Sequence, residues 1–305
     1  MAKSVGVTVS ERIQAALVVD HKVVGDLQLF PSDPEEQDGL VELHTEGLAA
    51  AICDRILAAA NGATDIQAVG VAVPGLVRAG VIEEAPNLPQ LKGARLQELL
   101  TNQLRARNIN AAVTILNDAD GCAAGLASLH GKLDHLIRVW TLGVGIGYGR
   151  YPFTEGVWEG GHTVITLDEK ERFCGCGGRG HLEGIMGHRA MRLRFLDMEP
   201  EEIFEHAKLD PGTGQPADQR CLDFKKLWHT ALAAATAASI HMAGTGKFFL
   251  TGFNVGFVDL PMLKDYLQQM VKMSPLQSYS LEIVEDEAHT RVIGAAVTAE
   301  QAAGL

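Results

Sequence analysis

At 305 residues, 47% apolar and 21% charged, the chain is long enough for two domains with separate cores and has an ordinary globular composition. A net charge of −12 argues against a phosphate-backbone binder, which needs clustered Lys and Arg, and no apolar run is long enough to span a bilayer. With no signal-peptide pattern at the N-terminus and only five cysteines, an odd number, a reducing cytoplasm is the expected setting.

Residues 5–9 and 13–19, rich in Val and Ile, read as adjacent strands. A Pro- and acid-rich connection follows at 31–38, then a helical pattern over 43–60 that Asn61-Gly62 ends. Residues 68–73 read as a buried strand stopped by Pro74-Gly75. Next come a helix at 96–107, a strand at 113–116 and a helix at 119–129. The second half repeats the scheme. It offers strands at 136–142 and 145–150, a glycine-rich loop, and helices at 182–196, 200–207 and 224–242. A strand at 247–250, a helix at 260–273, a strand at 281–284 and a closing helix at 291–303 complete it. This alternation predicts the α/β class with mixed sheets. Cys53, Cys122 and Cys221 fall in helical patterns and read as buried thiols.

The densest chemistry lies between Glu159 and Glu183. Glu159-Gly160-Gly161-His162 is followed, after eleven residues, by Cys174-Gly175-Cys176 and then by His181-Leu182-Glu183. Two thiols and two imidazoles within twenty residues, in a glycine-rich loop, suit a tetrahedral Cys2His2 zinc site of His162, Cys174, Cys176 and His181. A redox pair of cysteines and two solvated histidines is the alternative. The G-x-G-x-x-G from Gly175 to Gly180 sits among cysteines, not between a strand and a helix, so it is no dinucleotide signal.

Asn117-Asp118-Ala119-Asp120 follows a strand and opens a helix, where the free N–H groups and the dipole stabilise an anion. A plain cap explains it equally well. Alternating glycines in Thr141-Leu142-Gly143-Val144-Gly145-Ile146-Gly147-Tyr148-Gly149 would let backbone approach phosphate oxygens, and a simple hairpin is the alternative. Gly244-Thr245-Gly246-Lys247 is no phosphate loop, because Phe248 stands where Ser or Thr is required.

These motifs together resemble the ROK family of bacterial sugar kinases and sugar-responsive repressors. Trp158-Glu159-Gly160-Gly161-His162 and Cys174 to Glu183 are similar to its signature, with His181 in place of the usual third cysteine. The resemblance implies an actin-like ATPase/sugar kinase (ribonuclease H-like) fold with an interdomain cleft. The expected domains are 1–118 with a closing helix at 290–305, and 119–289 carrying the zinc loop at 159–183. It further implies ATP- and Mg²⁺-dependent phosphorylation of a hexose or N-acetylhexosamine, glucokinase-like, with Asp118 as general base. Asn87, Asn117, Asp118, Glu159, His162 and Glu183 would bind the sugar, and Gly143, Gly145, Gly147 and Gly252 the nucleotide. Structural zinc would sit on the four ligands named above. Dimers are common in this family, and a nucleic-acid partner or membrane is not expected.

Asp120 replaces the usual Asn, a small change outside the proposed proton path. Three departures bear on activity. Val144 replaces a Thr, and Phe253 one of two glycines. Most consequential, the family's N-terminal Asp-x-Gly-Gly-Thr turn is missing. Here Thr8-Val9-Ser10-Glu11-Arg12 stands in its place, with no Asp and neither glycine. Phosphoryl transfer depends on positioning and charge neutralisation, so this loss weighs on catalysis more than on sugar binding. A protein that binds sugar without phosphorylating it is therefore the alternative reading. A repressor is not expected, since the first strand leaves no room for a DNA-binding module before it.

Overall fold

Runs of β-branched residues form strands and Ala/Leu-rich runs form helices in the computed structural model, which describes residues 2–33, 39–154, 156, 158–285 and 288–305. In chain order these are β1 (Lys3–Val9), β2 (Ile13–Val19), β3 (Lys22–Phe30), α1 (Thr45–Ala60), β4 (Ala68–Val73), β5 (Leu76–Arg78), β6 (Val81–Glu84), α2 (Leu96–Arg105), β7 (Ala112–Asn117) and α3 (Asp118–Leu129). They continue as β8 (Ile137–Leu142), β9 (Ile146–Tyr151), α4 (Leu182–Met186), α5 (His188–Arg194), α6 (Pro200–His206), α7 (Gln219–Ala243), β10 (Lys247–Thr251), α8 (Leu260–Met270), β11 (Ser280–Ile283) and α9 (Ala288–Ala302).

The contacts divide into two units. The first comprises Met1–Ile137, Gly149–Val157 and Glu287–Leu305. Its sheet has the order β3-β2-β1-β4-β7, antiparallel on the β3 side and parallel from β1 through β4 to β7. Because those three strands are parallel and in register, their carboxyl ends share one edge, the usual ligand edge of an α/β sheet. One face carries α1 and α2 over Val5, Val7, Val71 and Ile115; the other carries α9 over Ala16, Val18 and Ala72.

The second face is set by small residues. Gly6 and Gly70 pair across β1 and β4. A Cβ on either would lie 1.9 or 1.8 Å from the Val292 or Ala295 carbonyl of α9. Helix α3 meets α9 at backbone distance through Gly125 and Gly294, where a Cβ would lie within 1.9 Å of the Thr290 and Gly121 carbonyls. This packing ties α3 to the first unit, so the division by contact falls after Ile137, later in the chain than the boundary expected at 118.

The second unit, Arg138–Tyr148 and Trp158–Asp286, holds a sheet ordered β11-β10-β8-β9. Its core gathers Trp140, Leu142, Trp228, Phe248 and Leu250 around α7. Arg138 is 1% exposed. Its guanidinium donates to Ser239 O and Oγ (3.0 Å each) and Gly244 O (2.7 Å) and lies 4.0 Å from the Phe248 ring centroid. Those bonds compensate its burial. No described helix is long and apolar enough to cross a membrane.

Three elements differ from the sequence expectation. The helix expected at 182–196 is two, α4 and α5, because Gly187 is extended (ψ 140°) and turns the chain between them. The edge strand β3 is half-solvated, so it lacks the apolar alternation that marks a strand. The turn leading into it uses Asp20 and His21 at positive φ without a glycine. The hairpin of β5 and β6 is too short to show a period. Residues 34–38 of the expected 31–38 connection lie outside the described residues.

Candidate functional site

Asn117 caps α3. The Ala119 N–H donates to Asn117 Oδ1 (2.8 Å) and to Asp118 Oδ1 (2.9 Å), and Asn117 Nδ2 donates to Gly75 O (2.9 Å). The cap is thus Asn117, and Asp118 is the first helical residue, half-buried at the carboxyl end of β7 with the helix dipole behind it. A carboxylate held there is an anion suited to accept a proton. Asp120 is buried and accepts from the Arg150 backbone N–H (2.9 Å). Asn87 is exposed on the loop after β6, next to Leu88, which is 1% exposed and anchors that loop.

The end of β1 and the turn that joins it to β2 present different chemistry. Thr8 is 4% exposed and donates to Gln14 Oε1 (3.2 Å). Arg12 turns toward the far end of β3, giving its Nε and Nη2 to Pro31 O (2.9 and 2.6 Å) and Nη2 to Ser32 O (2.9 Å). Its charge is engaged by carbonyls there. Glu11 is exposed.

In the second unit the loop at 159–183 brings its four predicted ligands together. One donor atom from each of His162, Cys174, Cys176 and His181 lies within 4.8 Å of all the others. Cys174 Sγ is 3.3 Å from Cys176 Sγ and 3.4 Å from His162 Nδ1, and His181 Nδ1 is 3.3 Å from both Cys176 Sγ and His162 Nδ1. Zinc with bonds of about 2.3 Å to sulfur and about 2.0–2.1 Å to nitrogen requires tetrahedron edges of about 3.3–3.8 Å. Four of the six edges lie at the short end of that range and the donor set suits that ion. Burial pushes the Cys174 thiol up to about 12, with Cys176 and Glu183 beside it. A bound cation would reverse this by favouring thiolate. Burial and the neighbouring His162 hold His181 below the usual imidazole range, which leaves its lone pair available.

Both histidines spend Nδ1 on this cluster. His162 Nε2 then lies 3.6 Å from Glu159 Oε2 across the short 3-10 turn Gly160–His162. Two contacts fix the turn. A Cβ at Gly161 would lie 2.0 Å from the Ile146 carbonyl of β9, and one at Gly160 would lie 2.5 Å from Tyr148 Cβ. Tyr148 is itself immobilised, with its ring 4.6 Å from that of Trp140 and its hydroxyl 2.7 Å from Ser239 Oγ. The two glycines of the motif are thus the room that β9 requires.

Glu183 ends this loop at the glycine turn. Its Oε2 accepts the Ile146 N–H (3.1 Å), and the Cys174 thiol donates to Oε1 (3.4 Å). A Cβ on Gly145 would lie 2.4 Å from Oε2, so the carboxylate needs the glycine there. Gly143 and Gly145 shape the turn between β8 and β9, whereas Gly147 lies within β9. The turn is stitched to two later segments. The His188 N–H and Asn254 Nδ2 both donate to Gly143 O (3.0 Å each), and His188 Nδ1 is 3.0 Å from Asn254 Oδ1. Asn254 is fully buried. Gly252 (φ +99°) brings this segment within reach of β8. Tyr148, His188 and Asn254 themselves carry no local sequence signal of their roles, since their partners are 91, 45 and 111 residues away. The only local clue is the glycine before His188, which breaks the expected helix.

The chain as a whole is similar to known proteins. The chain is 28% identical over 190 residues to a glucokinase of Pyrobaculum calidifontis, a match covering 57% of this chain and 58% of that relative's length. Its fold is similar to that of a ROK hexokinase from Thermus thermophilus (TM-score 0.76, 21% identity, 98% of each chain). A ROK family glucokinase from Streptomyces griseus, solved with glucose and AMPPNP, superposes with a TM-score of 0.66 at 20% identity over 98% of this chain and 100% of that one. A ROK family transcriptional regulator matches too, with a TM-score of 0.73 at 17% identity over 99% of this chain and 78% of that one. The actin-like sugar-kinase fold expected from the motifs is thereby established. With the family profile matching residues 35–302, this chain belongs to the ROK family.

Proposed function

We propose that the protein is a sugar kinase that transfers the γ-phosphoryl of ATP to a hydroxyl of a hexose or N-acetylhexosamine. The observation that carries this reading is the fixed carboxylate of Asp118, at the N-terminus of α3 on the carboxyl edge of a parallel sheet. Asp118 takes the proton as the sugar oxygen attacks phosphorus, help worth about 10²–10⁴-fold in rate. Asn117 and Asn87 hydrogen-bond the sugar. Glu159 and Glu183 accept from its hydroxyls and His162 bonds one through Nε2, and the charge-assisted bonds discriminate between epimers. The backbone around Gly143, Gly145 and Gly147, with Gly252, receives the nucleotide.

Zinc held by His162, Cys174, Cys176 and His181 would lock the loop so that Glu159 and His162 keep one geometry. Magnesium bound with the nucleotide would neutralise phosphate charge. A homodimer and a cytoplasmic location complete the reading by family likeness.

A second reading is favoured by the end of β1 and the turn after it: buried Thr8 stands in β1 where an acid would stand, and Arg12 is committed to Pro31 and Ser32. On that reading the chain binds sugar without phosphorylating it. Isothermal titration with a panel of hexoses and N-acetylhexosamines, paired with detection of sugar phosphate by mass spectrometry, separates the two. Sugar binding with phosphorylated product supports the kinase; binding with no product supports the second reading. No sugar binding contradicts both.

A further inference from the structure

We infer that His188, Glu199 and Glu201 form a second divalent-cation site, separate from the cluster in the loop at 159–183, which takes a borderline transition ion such as zinc, cobalt or manganese. The inference does not rest on the kinase reading. One donor atom from each of the three residues lies within 4.8 Å of the other two. They meet because the chain reverses between two short helices. His188 opens α5, and Glu199 and Glu201 flank Pro200 at the start of α6. Arg192 stands one turn after His188 on the same face of α5, and its Nε donates to Glu199 Oε2 (2.6 Å). The Glu199 N–H donates to Glu202 Oε2 (2.7 Å), which holds the first turn of α6. The backbone that carries both glutamates is thus docked beside His188 without help from an ion.

The imidazole sets this group apart from a surface cluster of acids. Asn254 is fully buried, and its Nδ2 donates to Gly143 O (3.0 Å), so its Oδ1 can only accept. That oxygen is 3.0 Å from His188 Nδ1, which therefore carries the proton. In the neutral ring the lone pair is then on Nε2, the nitrogen left for a cation. A buried acceptor that fixes the tautomer from behind is the support that metal-bound imidazoles have. An imidazolium paired with carboxylate would explain the grouping without an ion, but neither glutamate makes an ion pair with His188 among the described residues. Two carboxylates against the one guanidinium of Arg192 leave negative charge for the ion to neutralise. Bonds of about 2.0–2.2 Å to nitrogen and oxygen set ligand separations of about 3.4 Å in a tetrahedron, so the exposed glutamate side chains close by about an ångström on binding. Imidazole together with carboxylate selects borderline ions over magnesium or calcium, which prefer oxygen alone. The bound ion would tie α6, through His188 and Asn254, to the Gly143 turn.

The test supplies the full chain with one equivalent of zinc to fill the loop cluster and then titrates it with Co²⁺, followed by calorimetry and visible absorption. One Co²⁺ per chain should bind without the thiolate-to-cobalt charge-transfer band that Cys174 and Cys176 would give. Glu201→Gln should weaken this binding at least about tenfold, and so should His188→Gln, whose amide can still donate to Asn254. Glu205→Gln, which changes another exposed acid of α6, should leave it within about twofold of wild type. Glu201 and Glu205 are both exposed, so that comparison stands even if His188→Gln does not fold. No bound cobalt, or binding undiminished by Glu201→Gln, overturns the inference. Equal weakening by Glu205→Gln also overturns it, by reducing the site to diffuse attraction toward an acidic surface. A thiolate band overturns it too, by placing the ion in the loop cluster.

Discussion

Asp118 and the loop at 159–183 carry the residue-scale claims. Asp118→Asn keeps the shape of the side chain and its place in the first turn of α3 but removes the proton acceptor. Turnover should fall about 10²–10⁴-fold with hexose affinity changed less than about threefold. Lost affinity at unchanged rate would reassign Asp118 to binding. For the metal, elemental analysis of purified protein should give about one zinc per chain. Cys176→Ser should lower that occupancy and weaken hexose binding, since the ligand cluster orients His162 toward Glu159. Metal-free protein with unchanged sugar affinity would contradict this. The clustering of His162, Cys174, Cys176 and His181 was legible because all four lie close in sequence and the glycines among them leave backbone room. Tyr148, which holds the turn bearing Glu159 and His162, was not legible, because its role comes from Trp140 and Ser239.

Among the elements, the α3–α9 crossing leaves no room for a side chain at Gly125 or Gly294. Gly294→Ala would place a Cβ 1.7 Å from the Gly121 carbonyl, which no rotamer can relieve. Overpacking of this kind costs about 1–3 kcal/mol or more, so thermal denaturation should show a drop of several degrees. An unchanged midpoint would mean that the helices do not meet as described. In the second unit, buried His229 joins α7 to the start of α8. Its Nδ1 donates to Lys225 O (2.7 Å) and its Nε2 accepts the Asp259 N–H (2.8 Å), an arrangement possible only for neutral imidazole. Burial accordingly holds its pKa below the ordinary value. The folded form prefers the neutral ring, so this stability is fully present above the unfolded pKa of about 6.5 and is lost as pH falls below it. Denaturant titrations should show wild type losing stability below that pH more steeply than His229→Gln; parallel profiles would remove His229 from the account. Most long helices and buried strands were readable from periodicity. The split at Gly187 was not, because apolar residues continue through it. The break serves the His188 N–H, which reaches Gly143 across 45 residues of sequence.

For the whole molecule, motif spacing carried the family, and that match now covers residues 35–302. Sequence also located the weak point of the kinase assignment, the turn between β1 and β2. What it could not give was the commitment of Arg12 to Pro31 and Ser32, a contact made by the far end of β3, whose strand pattern was itself unreadable. The central claim is sugar phosphorylation despite that altered turn. A coupled ADP-release assay with ATP and Mg²⁺ over a panel of hexoses and N-acetylhexosamines tests it most directly. The account predicts ADP release that depends on one or a few of these sugars and is abolished by Asp118→Asn. Sugar binding with no sugar-dependent ADP release from the wild-type protein would contradict it.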